Sequence, residues 1–351
     1  METPGRLFAL DWLRGLAVLV MIQTHALALL QPGLRQGRLF HALMLIDGLV
    51  APTFLFTAGC SLGLVMARAG SRGTQLAQAR RSLGRIGQVL LAASFINFAW
   101  FPVLREPKWW LRIDILHCVA LSLLALLPVL LALAPRPRVA RGVTLAMALG
   151  LFAVAPLGEG IRGAWSLLLN NHVGFLDAST GAMFPLLPWA GYVFLGGSLG
   201  VTIGADGPAK LWGWWGVLLG LGLVIWAFEP ALFVAYPPHQ RSLVNPSASA
   251  QRWTYVLGAV AGFRGLERGW AAFSRTSAAT ILTAFGTSSL SAYVFHELLL
   301  FEHRVGFFGQ LFRDRATWWG YGVLWVALVA ATWLAMAAWD RLTRGSRYSL
   351  R

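Results

Sequence analysis

Long apolar runs broken by short polar stretches dominate this chain, and they have the length of membrane spans rather than the alternation of strands. Runs near the roughly 20 residues that cross a bilayer core lie at 7–30, 43–67, 86–104, 112–134, 142–157, 183–204, 211–229, 253–270, 278–301 and 317–339. The pattern predicts an all-α, polytopic transmembrane bundle of about ten helices, read as a single integral-membrane domain over 1–351. Polar residues between the runs serve as turns. Pro237-Pro238 and Asn245-Pro246 mark one of the two longest connections, 230–252; the other is 158–182.

Composition agrees. The chain has 351 residues, 57% hydrophobic and 12% charged. A soluble domain carries about 25% charge, so too little polar surface remains to face water. Seventeen tryptophans fit the preference of indole for the bilayer interface.

The formal charge of +15 changes the picture by giving orientation. The arginines form no single basic face and predict no nucleic-acid partner. With the N-terminus inside, the inner segments collect Arg6 and Arg14, then Arg68, Arg72, Arg80, Arg81 and Arg85. They also hold Arg136, Arg138 and Arg141, Lys210, Arg264, Arg268 and Arg275, and finally Arg341, Arg344, Arg347 and Arg351. These are the larger share of the 29 Lys and Arg, which predicts N-in and C-in topology in a bacterial-type inner membrane. The first run carries Asp11 and Arg14 and lacks a clean cleavage site, so it reads as a retained helix and not as a signal peptide. Cys60 and Cys118 lie within apolar runs, and no disulfide or metal site is expected.

Ionisable groups inside a span are costly and usually face a cavity or a partner. The first span holds Asp11, Arg14 and His25. Arg14 and His25 stand eleven residues apart, about three turns, so they share a face with Asp11, and His25 lies roughly 16 Å along the axis from Arg14. A histidine there acts as a base or as a packing residue. A second polar group is expected at the outer side: His41 and Asp47, then Arg112, Asp114 and His117, then His296 and Glu297, with His172, Asp177 and His239 from the loops. Asp47, Arg112, Asp114, His117 and His296 are its candidate acceptor-binding residues. The segment 68–85 reads as an inner loop with five arginines and three glycines. It either sets topology or offers Arg80, Arg81 and Arg85 to phosphates, which the planar guanidinium suits.

RLFALDWLRGLAVLVM over residues 6–21 resembles the opening of the heparan-α-glucosaminide N-acetyltransferase-like family. APTFLFTAG over 51–59, RIDILH over 112–117 and FPLLPW over 184–189 are similar to later motifs of that family, and Gly286, Ser289, Leu290, Tyr293 and His296 carry the likeness into the last third. The spacing of Arg14 and His25 also matches the hallmark of the bacterial membrane sugar O-acetylases. The resemblance implies a membrane acyltransferase that takes acetyl from cytoplasmic acetyl-CoA and passes it to a carbohydrate-type acceptor across the bilayer. No metal is expected, and a homodimer is admitted among its partners. It implies catalytic roles for His25, Asp11, Arg14 and His41. In the lysosomal relative the position matching His25 is asparagine, and the proposed histidine follows in the next loop, near Arg38 and His41 here. His25 is favoured. Two rival classes remain: a secondary transporter, which predicts discontinuous helices, and a scaffold, which predicts no cavity.

Overall fold

The computed structural model describes residues 7–100, 113–158, 184–236, 245–269, 273–301 and 306–348. Arg112, the His172 and Asp177 of the first long connection, and Pro237, Pro238 and His239 of the second lie outside these residues. The described residues are almost entirely helical and contain no strand, only an isolated bridge between Leu30 and Ala316.

Among the described residues, seven helices are long and apolar enough to cross a membrane, and up to nine when two bent pairs are each taken as one span. The protein is a multi-pass membrane protein. Nine of the ten expected runs recur in this set. The exception is 253–270: its helix forms (Pro246–Gly269) but is less apolar than the others, with Arg252, Arg264, Glu267 and Arg268 lowering its hydropathy. The runs at 211–229 and 278–301 are not straight helices. The first breaks by 64° ahead of Pro230, the second by 86° at Ser288. The expected loop 68–85 is mainly helix. Gly73, at φ +67°, turns the chain after Ser71, and a helix resumes at Gln75, because Gln, Leu, Ala and Arg are good helix formers.

The chain forms two compact units. The first contains α3 (Val50–Ser71), α4 (Gln75–Trp100), α5 (Ile115–Ala132), α6 (Pro137–Gly158), α7 (Leu186–Asp206), α8 (Leu211–Ala227), α9 (Glu229–Ala235) and most of α10 (Pro246–Gly269). Its centre is α7, 94% buried. Small residues allow that. A Cβ on Gly59 would lie 1.9 Å from the Val193 carbonyl oxygen, and one on Gly196 would lie 1.9 Å from that of Phe56. Helices α3 and α7 therefore touch backbone to backbone, the close packing that membrane helices use where water cannot drive association.

The second unit contains α1 (Phe8–Ala26), α2 (Arg38–Asp47), α11 (Ser277–Thr287), α12 (Ser289–Phe301), α13 (Phe307–Phe312) and α14 (Trp318–Tyr348). Helix α1 is its hub. Gly15 and Gly286 let α1 and α11 meet as closely: the Cβ of one would strike Leu282 O and that of the other Asp11 O. Trp12 Nε1 donates to Thr283 Oγ1 at 3.0 Å. Toward α14, Gln23 Nε2 donates to the Tyr321 hydroxyl at 2.8 Å, and Tyr321 returns a bond to the Gln23 carbonyl. Helix α14 turns Trp319, Val326, Leu334 and Leu342 outward, an apolar face suited to lipid.

Candidate functional site

Both ends of α1 carry polar side chains, and the two ends behave differently. At the start, Arg14 pairs with Asp11 across 3.9 Å and reaches the Gly286 carbonyl at 3.5 Å. The backbone N–H of Phe8 donates to Glu267 at 3.0 Å. These contacts hold the helix entry.

At the other end, the break at Ser288 turns α12 so that its buried side brings His296 and Glu297 to His25. His25 Nδ1 lies 2.7 Å from Glu297 Oε1 and 2.8 Å from His296 Nε2. The two rings stack with centroids 5.0 Å apart. His296 is fully buried and Glu297 is 2% exposed, whereas the His25 side chain is 30% exposed.

Proton positions follow from these bonds. His296 Nδ1 donates to the Ala292 carbonyl at 2.9 Å, so in the neutral ring Nε2 is an acceptor. The shared partner, His25 Nδ1, must then carry the proton and donate toward Glu297 and His296. That leaves His25 Nε2 as the basic nitrogen, on the more open side chain. A carboxylate behind an imidazole N–H fixes the tautomer and steadies the cation that forms when the other nitrogen accepts a proton.

Asp47, at the C-terminus of α2, is 9% exposed and interacts with His25. Neither of its oxygens has a hydrogen-bond partner among the described residues. Thr24 lies beside it, but its hydroxyl is committed to the Val20 carbonyl at 2.9 Å. Glu297 Oε2 is likewise buried without a partner among those residues.

A cavity of about 170 Å³ opens one turn beyond His25, walled by Ala28, Leu29, Leu300 and Phe301, with Gln310 and Arg313 as its polar members. Phe301 also packs edge-on against the His25 ring at 5.8 Å. The wall next to His25 is thus shared with a space for a small group.

His41 is exposed on α2 and bonds the Gly37 carbonyl of its own helix start at 2.7 Å. Asp114 caps α5: its carboxylate accepts from the His117 backbone N–H at 3.1 Å and from His117 Nδ1 at 2.9 Å. That pair belongs to the first unit, and a helix cap explains its spacing of three. Arg80, Arg81 and Arg85 are exposed on α4, also in the first unit, with Arg81 bonded to Gln78 at 2.8 Å. Glu297 was expected in the outer polar group but was given no role in the site. Its signal was a carboxylate next to His296 in an apolar run, which membrane helices seldom carry without use.

The fold defines a multi-pass helical membrane protein, and a His–Glu pair beside a cavity is the equipment of a group-transfer enzyme. Residues 6–228 match the family described as heparan-alpha-glucosaminide N-acetyltransferase, catalytic. The chain belongs to that family of membrane acetyltransferases. No curated protein matches it. The matched region includes His25 and Asp47 and ends before His296 and Glu297.

Proposed function

We propose that this protein transfers acetyl from acetyl-CoA on the cytoplasmic side to a hydroxyl or amine of a glycan-type acceptor beyond an inner, bacterial-type membrane, with both termini inside. One observation carries this reading: the His25 and Glu297 side chains meet at 2.7 Å within a chain of this family.

The chemistry balances with this chain's own groups. The acceptor O–H or N–H gives its proton to His25 Nε2 as its heteroatom attacks the thioester carbonyl. The new C–O or C–N bond forms, the C–S bond breaks, and the imidazolium returns the proton to the departing thiolate. Glu297 holds the ring and balances its transient charge. Arg14 and Asp11 fix the helix that carries the base, and the cavity beside Phe301 receives the reacting part of the acceptor, with Gln310 and Arg313 offering donors. Arg80, Arg81 and Arg85 are the candidate phosphate contacts for CoA, and Asp114 with His117 remains a candidate for the acceptor path. The exposed, self-satisfied position of His41 favours His25 as the base.

The test is acetyl transfer and CoA release by purified protein in proteoliposomes. His25→Ala is expected to lower both by about 10²–10⁴-fold with folding intact; turnover near the wild-type rate would remove His25 from the mechanism.

A transporter reading draws on the two broken helices, since discontinuous spans are a transporter device. Solute uptake without CoA release would favour it.

A further inference from the structure

The three groups that meet at the end of α1 have a second capability. His25 Nδ1, His296 Nε2 and a Glu297 oxygen all lie within 4.8 Å of one another. Their individual separations are 2.7, 2.8 and 3.4 Å. Imidazole nitrogen and carboxylate oxygen bind zinc at roughly 2.0–2.2 Å, which puts neighbouring ligand atoms about 3–3.5 Å apart. A shift of a few tenths of an ångström converts this hydrogen-bonded trio into a three-ligand site with one position open.

Two further observations point to a cation. The first is orphaned charge: Glu297 Oε2 and both Asp47 oxygens are buried without hydrogen-bond partners among the described residues. Buried carboxylates are paired or bound to metal. Glu297 and Asp47 together supply the two negative charges that a divalent ion needs, whereas a protonated His25 supplies only one positive charge. The second is ligand orientation: His296 Nδ1 donates to the Ala292 carbonyl, and a carbonyl behind the ring is the usual support that aims a metal-binding imidazole.

We propose that His25, His296 and Glu297 form a binding site for a divalent first-row transition ion such as zinc, with Asp47 as the second counter-charge, and that the bound ion turns the base off. Nδ1 holds either a proton or a metal. With the ion on Nδ1, a neutral His25 carries its proton on Nε2, and no basic nitrogen faces the acceptor. The ion is therefore an inhibitor of transfer and not a participant in it. The metal site goes beyond the acetyltransferase reading and stands without it; the inhibition rests on His25 being the base of that reading.

The experiment uses the full-length, untagged protein in detergent, stripped with chelator and titrated with zinc by calorimetry. Cobalt absorption reports the ligand set. Wild type should take up one zinc per chain. His296→Ala and Glu297→Gln should each weaken uptake by about a hundredfold or more, because loss of even an outer-shell partner costs 10–100-fold. Gel filtration of each variant certifies its fold. Failure of the folded wild type to bind zinc overturns the site, as does binding that neither variant weakens. Metal uptake is read without CoA or acceptor, so a failed transfer assay leaves this result standing, and the reverse.

Discussion

Helices α3 and α7 of the first unit and helices α1 and α11 of the second solve the same packing problem and then diverge. In both pairs glycine lets backbone meet backbone, with Gly59 and Gly196 in one and Gly15 and Gly286 in the other. Past a break at Leu187, the α7 helix runs on without interruption to Asp206, nearly all buried. The α11 helix instead ends at Thr287, the residue after Gly286, and the chain turns 86° into α12. Continuity makes α7 a scaffold. The break makes α12 a carrier, because it points His296 and Glu297 at a helix with which α11 is already locked. A membrane interior tolerates a carboxylate and two imidazoles only where they satisfy one another, and a broken helix is how this chain gathers them.

Changing the carried residues should affect chemistry and spare the fold. The largest effect is expected at His25: His25→Ala should lower transfer by about 10²–10⁴-fold, the usual worth of a general base, with normal elution in gel filtration. Glu297→Gln comes next. An amide can donate to Nδ1 and so favour the wrong tautomer, a change that costs up to about 10⁴-fold in serine hydrolases. A loss of about 10–10³-fold is expected here, in kcat with KM little changed, and Glu297→Asp should restore part of it. A loss confined to KM would make Glu297 an acceptor contact instead.

The scaffold side should respond in the opposite sense. Gly196→Leu drives a side chain into the Phe56 carbonyl, and overpacking typically costs about 1–3 kcal/mol. The expected result is a lower unfolding temperature and less folded protein, with activity per folded molecule retained. Gly15→Leu breaks the symmetry of this comparison. It meets Leu282 O in the same way, yet it should reduce both thermal stability and turnover, since α1 carries His25. Equal turnover per folded molecule in the two variants would mean that the α1–α11 contact does not position the site.

The spans were legible because a bilayer demands roughly 20 apolar residues in a row, and such a run needs no partner to be recognised. His25 was legible for the same reason, as a costly group in an apolar helix at helical spacing from Arg14. The pairing of His25 with residues 271 and 272 positions away was not, because no local pattern encodes it. His296 and Asp47 were expected at an acceptor vestibule; His296 lies against His25, and Asp47 interacts with it through its charge. The break at Ser288 was hidden because no proline marks it. Phe228 was easier in principle, since Pro230 follows within two residues. The run at 253–270 forms a helix, and its mixed composition over 24 residues leaves it less apolar than the other spans.

His41 offers the smallest effect and the sharpest contrast with His25. Both are histidines close to the same helix end in sequence, and the resemblance that singled out one also singled out the other. Their surroundings differ. His25 has a buried carboxylate behind Nδ1 and a cavity one turn away. His41 is exposed, and its Nδ1 is spent on the carbonyl of Gly37. That ring has no carboxylate behind it, and solvent competes for its other nitrogen. Surface substitutions away from a network usually stay within about 0.5 kcal/mol. His41→Ala should therefore change transfer by no more than about twofold in the proteoliposome assay. A loss approaching that of His25→Ala would move the base to α2 and leave the His25–Glu297 pair as packing.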